Sequence, residues 1–591
     1  MTIYTSLQFP VNHVSLGSLA ESVATGTNTA CKAIANEIHN RLERGPVVTA
    51  IDGGLGIPYH TLAAEIAEYF PNVKVTILDV REALKSAADI AAMVTPCLPP
   101  AGDWGRVFDG QLKDFFDPDK LADMQAQLQN PAADVTLIIG PGAALSGLLE
   151  NCHLVIYADQ TRESLFNAFE TEPLPFFGVQ PDQNPKENID RYCYVEGPVL
   201  DEHKRKTLSF ISGYLSWNPP QETLYLPRRT YEALVARLGV APMLFKPLYS
   251  PTAWGGNWLK ELKGLPQEMT NSGQGWFIPN ENSLLINWGG EILLDLPFLN
   301  LLWHAAVPIL GDLAARVTHG QMPLNYYCND QISGGHMSLQ IHPDDAYMQN
   351  HFNEPARQDE SYYVLHTVPG ARSFIDLQPN ATLADLRQQA ENSAANGQPF
   401  DFERLVQSVE TQPGDFILIP AGTLHASGAE QVILEINWSL SAYTPGYTFR
   451  LYDYVTSNEN GKRRPLHIDR TFQVLKDRRR EGLASLIQTP EVMREGEGWR
   501  EIRIGRHPDM LFEVSRLEFE HEISGRTEPE DSFHALTLVE GRQIEIIAKA
   551  TRQVVTLDFP DTALLPASLH NYTLRSTDGQ PCKVVKAVVC G

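Results

Sequence analysis

The segment GGHMSLQIHPDD (334–345) places polar side chains at every second position of a predicted strand. Because side chains alternate between the two faces of a strand, one face is polar and the other apolar. The polar face carries His336, Ser338, Gln340 and His342, and the apolar face carries Met337, Leu339 and Ile341. Two interpretations are open: a solvated outer face, or the lining of a pocket inside a β-barrel.

Two later segments favour the pocket. QDESYYVLHTVPGA (358–371) places Glu360 at the start of a second strand, and GDFILIPAGTLHASG (414–428) ends a third strand with a turn that carries His425. Two histidines, a carboxylate and an amide oxygen from three strands can converge as ligands of a divalent cation, and Zn²⁺ suits that set. The sequence therefore predicts a metal site.

The chain changes texture at about residue 242. Residues 30–240 alternate short apolar strands with helical spacers, which predicts a doubly wound α/β sheet covered on both faces. From 242 onward, short strands and Pro-Gly turns predict all-β sandwiches or barrels, interrupted by helical segments near 297–317 and 465–487. We expect three units, over 1–240, 241–505 and 506–591.

Composition narrows the class of protein. The chain has 591 residues, with 47 basic and 72 acidic side chains and a net charge of −25, which opposes binding to nucleic acid or to an anionic membrane. Seven dispersed cysteines without a C-x-x-C pair are typical of free thiols in a reducing compartment. The first residues lack the pattern of a secretory signal, and no apolar run reaches about 18 residues. We expect a soluble cytoplasmic protein, and the oligomeric state stays open.

Six segments resemble, in order and approximate spacing, those of type I phosphomannose isomerases, which are zinc enzymes of the cupin (jelly-roll) fold. They are LFKPLYSPTAWGGNWL (244–259), SLQIHPDDAYM (338–348), ESYYVLHTVPGA (360–371), IPAGTLHASGAEQVILEIN (419–437), YTFRLYDY (447–454) and GKRRPLHIDR (461–470). The resemblance covers about 242–591, with a second cupin module at the C-terminal end. It implies an isomerase that interconverts mannose 6-phosphate and fructose 6-phosphate through a cis-enediol.

The resemblance also implies residue roles. Arg450 would stabilise the negative charge that develops during the reaction, and Ser338 would face the sugar phosphate. The implied zinc ligands are Gln340, His342, Glu360 and His425. The general base is not identified by the sequence; the candidates are His336, Asp344 and Glu435.

Two lysines of the family are replaced, by Asn329 and Gln358. Because those lysines are plausible counter-charges for a sugar phosphate, their loss would weaken phosphate binding. Arg357 can substitute for one of them. The alternatives are a different or unphosphorylated sugar, and a regulatory protein that binds a sugar without turning it over.

The front segment VVTAIDGGLGIPYHTLAAEI (47–66) follows a strand and opens a helix, and it resembles the phosphate-binding loop of uridine-kinase-like enzymes. Tyr59 stands where that loop has its lysine, and His60 stands at the first hydroxyl position. Without those groups a nucleotide loses a counter-charge and Mg²⁺ loses a ligand. We therefore expect a degenerate P-loop kinase-like domain with no kinase activity. A tight turn alone also explains the glycines.

Overall fold

The computed structural model describes residues 3–6, 9–100, 103–171, 174–178, 184–278, 282–396, 398–440, 446–454, 464–479 and 482–591. Residues 461–463 of the GKRRPLHIDR segment lie outside these ranges. Within them, no helix combines the length and apolar character needed to cross a bilayer.

The front of the chain contains a seven-stranded sheet, to which its first strand does not belong. Its elements are β1 (Asn12–His13), β2 (Ala24–Thr25), α1 (Thr27–Leu42), β3 (Val47–Gly53), α2 (Tyr59–Ala67), β4 (Val75–Asp79), α3 (Ala87–Val94), α4 (Pro118–Gln129), β5 (Val135–Ile139), β6 (Leu154–Asp159), α5 (Arg162–Thr171), α6 (Pro185–Arg191), α7 (Gly197–Thr207), β7 (Gly213–Ser216), β8 (Leu224–Pro227) and α8 (Arg228–Leu238). The strand order is β2-β8-β7-β6-β3-β5-β4, and the five strands from β7 to β4 are parallel.

Both faces of this sheet are buried, as the apolar runs predict. On β3, Val47 and Ile51 pack into a core with α1 and α2, whereas Val48 and Ala50 face a second core on the other side. This alternation arises because successive side chains of a strand point in opposite directions. The prediction of an α/β sheet covered on both faces is confirmed.

The middle of the chain forms two antiparallel sheets. Its elements are β9 (Met243–Leu244), β10 (Leu248–Ser250), α9 (Trp258–Lys263), β11 (Gln274–Ile278), β12 (Ser283–Asn287), β13 (Leu294–Pro297), α10 (Phe298–Leu310), α11 (Asp312–Val317), β14 (Leu324–Asp330), β15 (Leu339–Ile341), α12 (Asp345–Phe352), β16 (Glu360–Thr367), β17 (Arg372–Leu377), α13 (Leu383–Asn396), α14 (Phe402–Leu405), β18 (Val406–Glu410), β19 (Phe416–Ile419), β20 (His425–Ser427), β21 (Gln431–Trp438), β22 (Phe449–Tyr452) and α15 (Ile468–Val474). The sheet orders are β10-β11-β14-β21-β16-β19 and β18-β17-β20-β15-β22. We call this pair the middle sandwich.

The end of the chain forms a second antiparallel pair, which we call the C-terminal sandwich. Its elements are α16 (Leu483–Leu486), β23 (Glu491–Gly496), β24 (Trp499–Arg506), β25 (Phe512–Phe519), β26 (Glu522–Arg526), β27 (His534–Glu540), β28 (Gln543–Ala548), β29 (Val554–Asp558), β30 (Thr562–Leu565), β31 (Asn571–Ser576) and β32 (Cys582–Val589). The orders are β23-β24-β25-β32-β27-β30-β9 and β26-β31-β28-β29. The expected succession of an α/β unit, antiparallel β units and helical insertions is confirmed in this coarse form.

Strands also pair across the expected units. β1, near the start of the chain, lies parallel to β12, and β9 lies antiparallel to β30 of the C-terminal sandwich. A buried amide also joins β1 to β9: Asn12 Nδ2 donates to the Leu244 carbonyl at 2.7 Å, and Asn12 Oδ1 accepts from the Leu244 N–H at 2.9 Å. The three parts are therefore joined by backbone pairing as well as by side chains.

Candidate metal centre

Three residues from both sheets of the middle sandwich meet in its interior. His342 directly follows β15, His425 begins β20, and Glu360 begins β16 of the opposite sheet. All three are buried, with 0 to 2% of each residue exposed. Folding of the two sheets onto each other thus brings together residues that are 83 positions apart at the extremes of the sequence.

The ligand atoms of these residues lie close together. His342 Nε2 is 2.8 Å from Glu360 Oε1, and His425 Nε2 is 3.1 Å from Glu360 Oε2. One donor atom from each of the three residues falls within 4.8 Å of the others, close enough for all three to hold one metal ion. We call His342, Glu360 and His425 the cluster.

Backbone carbonyls orient both histidine rings. His342 Nδ1 is 3.2 Å from the Tyr447 carbonyl oxygen, and His425 Nδ1 is 2.9 Å from the Thr423 carbonyl oxygen. A carbonyl only accepts, so each Nδ1 carries the proton and each Nε2 presents a lone pair. This is the arrangement by which proteins orient histidine ligands of metal ions.

The buried acceptors of the cluster suit a cation. His342 Nε2 and Glu360 Oε2 make no hydrogen bond of normal geometry with the described residues, despite their short separations. Buried polar atoms are rarely left in this condition, because an unsatisfied one costs about 1–3 kcal/mol. Two nitrogen lone pairs and a carboxylate aimed at a common point fit Zn²⁺, which prefers such nitrogen and oxygen ligands.

Gln340 and Ser338 border the cluster. The Gln340 amide nitrogen lies 3.5 Å from His425 Nε2, and its oxygen accepts from the Ser338 hydroxyl at 2.9 Å. Rotating the amide by half a turn exchanges the two atoms, which X-ray density ordinarily cannot distinguish. The oxygen then faces the cluster, while the hydroxyl can accept from the amide nitrogen.

The polar face predicted for residues 336–342 is only partly realised. Ser338, Gln340 and His342 are buried, so the solvated-face interpretation is wrong. The strand itself is short, Leu339–Ile341, and His336 lies outside it. There His336 Nδ1 accepts from the Ala429 N–H at 2.9 Å among aromatic rings, and burial lowers its pKa.

Arg450 lies beside the cluster strand. It is the cross-strand partner of Gln340 in the pairing of β15 with β22, so both side chains start from the same face of the sheet. Its Nε donates to the Pro465 carbonyl at 3.1 Å. Burial, together with the charge of Arg464, lowers the pKa of Arg450 to about 10, so the guanidinium stays charged at neutral pH.

Arg357 is held in a separate network. Its guanidinium contacts Asp359 at 2.9 Å, Asp345 at 2.7 Å and the backbone carbonyl of Asp509. Alternation along the extended backbone places Arg357 and Asp359 on the face opposite Glu360. In its described contacts, Arg357 therefore joins the middle sandwich to residue 509 and does not line the cluster.

Amides stand beside the two acidic residues of the site. Gln358 Nε2 donates to Glu360 Oε1 at 2.6 Å, and Asn329 Nδ2 donates to Glu435 Oε2. Asn437 Nδ2 donates to the other Glu435 oxygen at 2.7 Å. The two positions expected to carry lysine therefore carry neutral donors that bind the carboxyl groups directly.

The pKa values of Glu360 and Glu435 are shifted in opposite directions. Burial and the charge of Glu360 raise the pKa of Glu435 well above its usual range. Burial opposes ionisation of Glu360 as well, but His342 and His425, when their rings are protonated, outweigh it by their charge and hydrogen bonds and lower the pKa of Glu360. The opposite directions of the two pKa shifts favour a proton on Glu435 over a proton on Glu360.

The other candidate base is structural in its described contacts. Asp344 caps helix α12, where its carboxylate accepts from the Tyr347 N–H at 3.1 Å. This leaves Glu435 as the candidate that contacts the cluster. The orienting carbonyls of Tyr447 and Thr423 were not predicted, because any residue type supplies a carbonyl and no sequence signal marks them.

The loop after β3 is closed by its own side chains. The Tyr59 hydroxyl donates to the Gly54 carbonyl at 2.8 Å, and Tyr59 is 3% exposed. A Cβ on Gly53 would lie 2.0 Å from the Ala158 carbonyl oxygen, and Gly56 has a φ of +78°. Close backbone approach and a left-handed turn thus account for both glycines.

A comparison with protein families matches the part of the chain that precedes the change of texture at about residue 242. The sequence model of a family described as a domain of unknown function, DUF8485, matches residues 30–238. In Bacillus subtilis (strain 168), the probable mannose-6-phosphate isomerase GmuF is 33% identical over 95 residues, which are 16% of this chain and 26% of that protein. The putative mannose-6-phosphate isomerase YvyI of the same strain is 27% identical over 179 residues, 30% of this chain and 51% of that protein.

Among solved structures, the mannose 6-phosphate isomerase from Bacillus subtilis is similar to this chain at 20% identity and a TM-score of 0.45. The similarity covers 59% of this chain and 99% of that one. The chain thus matches between about a quarter and a half of the length of the two curated relatives.

Proposed function

We propose that residues 242–591 act as a zinc-dependent aldose–ketose isomerase that interconverts mannose 6-phosphate and fructose 6-phosphate. The observation that carries the proposal is the cluster, in which two oriented imidazole nitrogens and a carboxylate converge in a buried interior. Among the described residues, no donor makes a hydrogen bond of normal geometry to His342 Nε2 or Glu360 Oε2. The partial sequence similarity to mannose-6-phosphate isomerases supports it. The unit division at 240 and 505 belongs to the same proposal.

Four side chains would hold the zinc ion: His342, Glu360 and His425 of the cluster, and Gln340 after rotation of its amide. When bound, Zn²⁺ supplies Lewis-acid stabilisation of negative charge on sugar oxygens. Burial of the site strengthens every electrostatic interaction inside it, because water is excluded.

The remaining residues would transfer the proton and stabilise the negative charge that develops on the sugar. Isomerisation moves a proton between C1 and C2 of the sugar, and Glu435, whose pKa is raised by burial and by the charge of Glu360, would hold or release that proton. Arg450 would add fixed positive potential from the neighbouring strand, since its pKa keeps it charged. Ser338 would contribute a hydroxyl to the sugar side of the pocket.

A second candidate function is favoured by the amides at 329 and 358. Gln358 and Asn329 donate to Glu360 and Glu435, so neither offers a positive charge to a phosphate. A charge-assisted hydrogen bond contributes about 1.5–3 kcal/mol, roughly twice that of a neutral one. This favours an unphosphorylated sugar as the substrate, or a protein that binds a sugar without turnover.

We place the protein in the cytoplasm. None of the seven cysteines forms a disulfide, and Cys31, Cys97, Cys193, Cys328 and Cys582 are buried. Free thiols persist in a reducing compartment, whereas oxidising compartments favour disulfides. The small-molecule partner is a sugar or a sugar phosphate.

The test is a coupled assay of the full-length, zinc-loaded protein on mannose 6-phosphate and on free mannose. His342→Ala is the blank, and His521→Ala, at an exposed position of the C-terminal sandwich, is the matched control. We expect turnover of the phosphate ester that is lost in His342→Ala and kept in His521→Ala. Turnover of free mannose alone would select the second candidate. Zinc binding without turnover of either sugar would indicate a regulatory protein.

A further inference from the structure

A segment of the front unit lies across the middle sandwich next to the cluster. Residues 103–108, the docking segment, run between α3 and α4 of the front sheet. The Val107 N–H donates to the Phe352 carbonyl at 2.9 Å, and Asn353 Nδ2 donates to the Val107 carbonyl at 3.0 Å. The segment is thus bound to the end of α12, the helix that begins three residues after His342.

An ion pair anchors the start of this segment. Asp103 Oδ2 accepts from Arg470 at 2.5 Å and 3.2 Å, and Arg470 also donates to the Tyr347 hydroxyl at 2.9 Å. Arg470 belongs to α15 and Tyr347 to α12. Asp103 of the front unit therefore binds Arg470, the residue that itself links α15 to α12.

Trp104 places its ring among the residues that support the cluster. Its centroid lies 4.4 Å from that of His467, 5.2 Å from Phe449 and 6.0 Å from Tyr447. Aromatic rings at these distances attract one another in addition to the stabilisation from burying their surface. The ring is partly buried in the core that also contains Ile341.

Two of those neighbours hold the proposed site residues by their backbone or ring atoms. The Tyr447 carbonyl accepts from His342 Nδ1. His467 Nδ1 accepts from the Arg450 N–H at 3.2 Å, and the His467 N–H donates to the Arg450 carbonyl at 2.8 Å. Trp104 is therefore one contact away from both His342 and Arg450.

We propose that Trp104 is a positioning residue by which the front unit fixes the orientation of His342 and Arg450 for metal and substrate binding. The inference rests on the proposed function, since it concerns the same site. It gives the front unit a role in the isomerase site that needs no nucleotide. That role agrees with the loop closed by Tyr59.

A second contact between the front unit and residues of the 241–505 unit offers a matched control. Lys246 Nζ pairs with Glu163 of α5 at 2.5 Å and with Asp295 at 3.1 Å. This contact joins the same two parts of the chain, but its partners are not those of the cluster residues. Glu163→Gln therefore weakens the association of the two parts without reaching the supports of His342.

The test compares Trp104→Ala, Trp104→Phe and Glu163→Gln in the full-length protein. The affinity for Zn²⁺ is measured by competition with a chromophoric chelator, and the Co²⁺-loaded forms are compared by their visible absorption. Removal of an outer partner of a metal ligand costs about 10- to 100-fold in affinity. We expect about a tenfold weaker Zn²⁺ affinity and an altered Co²⁺ spectrum in Trp104→Ala. Trp104→Phe and Glu163→Gln should match the wild type in both.

The outcomes separate this inference from the proposed function. If the wild type binds Zn²⁺ and all three variants match it in affinity and spectrum, the positioning role is overturned while the metal site stands. Equal losses in Trp104→Ala and Glu163→Gln also overturn it, because they point to general loosening. If Trp104→Ala does not fold, Asp103→Asn replaces it, and an unchanged Co²⁺ spectrum there overturns the inference. A wild type that binds no metal contradicts the proposed function itself.

Discussion

The middle and C-terminal sandwiches both bury charged side chains, but the hydrogen-bond partners of these side chains differ. In the middle sandwich, His342, Glu360 and His425 present acceptors to one another. In the C-terminal sandwich, Glu501 receives Arg494 Nε at 2.5 Å and a second donor from Lys586.

The histidines of the two sandwiches differ in the same sense. His534 Nδ1 is hydrogen-bonded to the Tyr572 hydroxyl at 2.9 Å, across the two sheets of the C-terminal sandwich. His342 Nε2 has no hydrogen bond of normal geometry among the described residues. The comparison teaches that burial of polar residues does not identify a site. Acceptors without donors call for a cation, whereas matched donors and acceptors stabilise the fold.

The largest expected effect comes from removing the charge of the cluster. Glu360→Gln replaces an ionised ligand by a neutral amide of the same size. We expect Zn²⁺ affinity to fall by more than about a hundredfold, beyond the 10- to 100-fold cost of losing an outer partner, and isomerase turnover to disappear. Chelator competition and the coupled sugar assay measure the two losses. Wild-type affinity in Glu360→Gln would remove the distinction between the sandwiches.

The same substitution in the C-terminal sandwich should act on stability alone. Although burial opposes it, Lys586 and Arg494 lower the pKa of Glu501, so the carboxylate is ionised and paired. Glu501→Gln weakens both pairs, and we expect it to reduce the local free energy of opening by about 1–3 kcal/mol. Hydrogen exchange of peptides covering β24 and β32 would detect the change. Loss of Zn²⁺ affinity in this variant would show that the two sandwiches are not independent.

The smallest expected effect is a pH dependence of stability. Burial, with the charges of Lys586 and Arg494, lowers the pKa of His534 well below its usual value near 6.5. The unfolded chain takes up a proton below about pH 6.5 while the folded chain does not, so stability is lost as the pH falls. The loss is at most about 1.4 kcal/mol per pH unit for this residue.

Urea unfolding at pH 7.5 and 5.5 tests this prediction. His534→Gln should show a smaller difference between the two pH values than the wild type. His39→Gln, at an exposed position on α1, is the control and should keep the wild-type difference. An identical difference in all three proteins would mean that His534 is protonated in the folded state.

Local patterns were sufficient for the elements and for part of the site. Alternation predicted Glu360 at the start of a strand, and the structure places it there. Turn residues predicted His425 in the turn that follows another strand, and the structure shows His425 as the first residue of the next strand. Alternation also predicted that His336 lies on the same strand. This is wrong, because the strand begins only at Leu339. Residues at the edge of a short strand are governed by packing with distant segments, which no local period records.

The pairing of polar groups depended on the tertiary structure. Asn329 and Glu435, which are hydrogen-bonded, are 106 positions apart in the sequence. Gln358 was identified only as a residue that replaces a lysine, and its hydrogen bond to Glu360 was not predicted. The engagement of Arg357 by two aspartates and a distant carbonyl likewise has no local signature. Hydrogen-bond partners are chosen by three-dimensional proximity, so a sequence can name candidate donors without naming what they bind.

Residue types and their spacing were enough to indicate the α/β and β regions and the residues of the cluster. Those features follow from side-chain alternation and from the chemistry of individual residues, both of which are local. The convergence of lone pairs in the middle sandwich, the matched pairs in the C-terminal sandwich and the approach of Trp104 to His467 were settled by long-range packing. They depend on the distances and directions between atoms that are far apart in the chain, and only the folded backbone sets these.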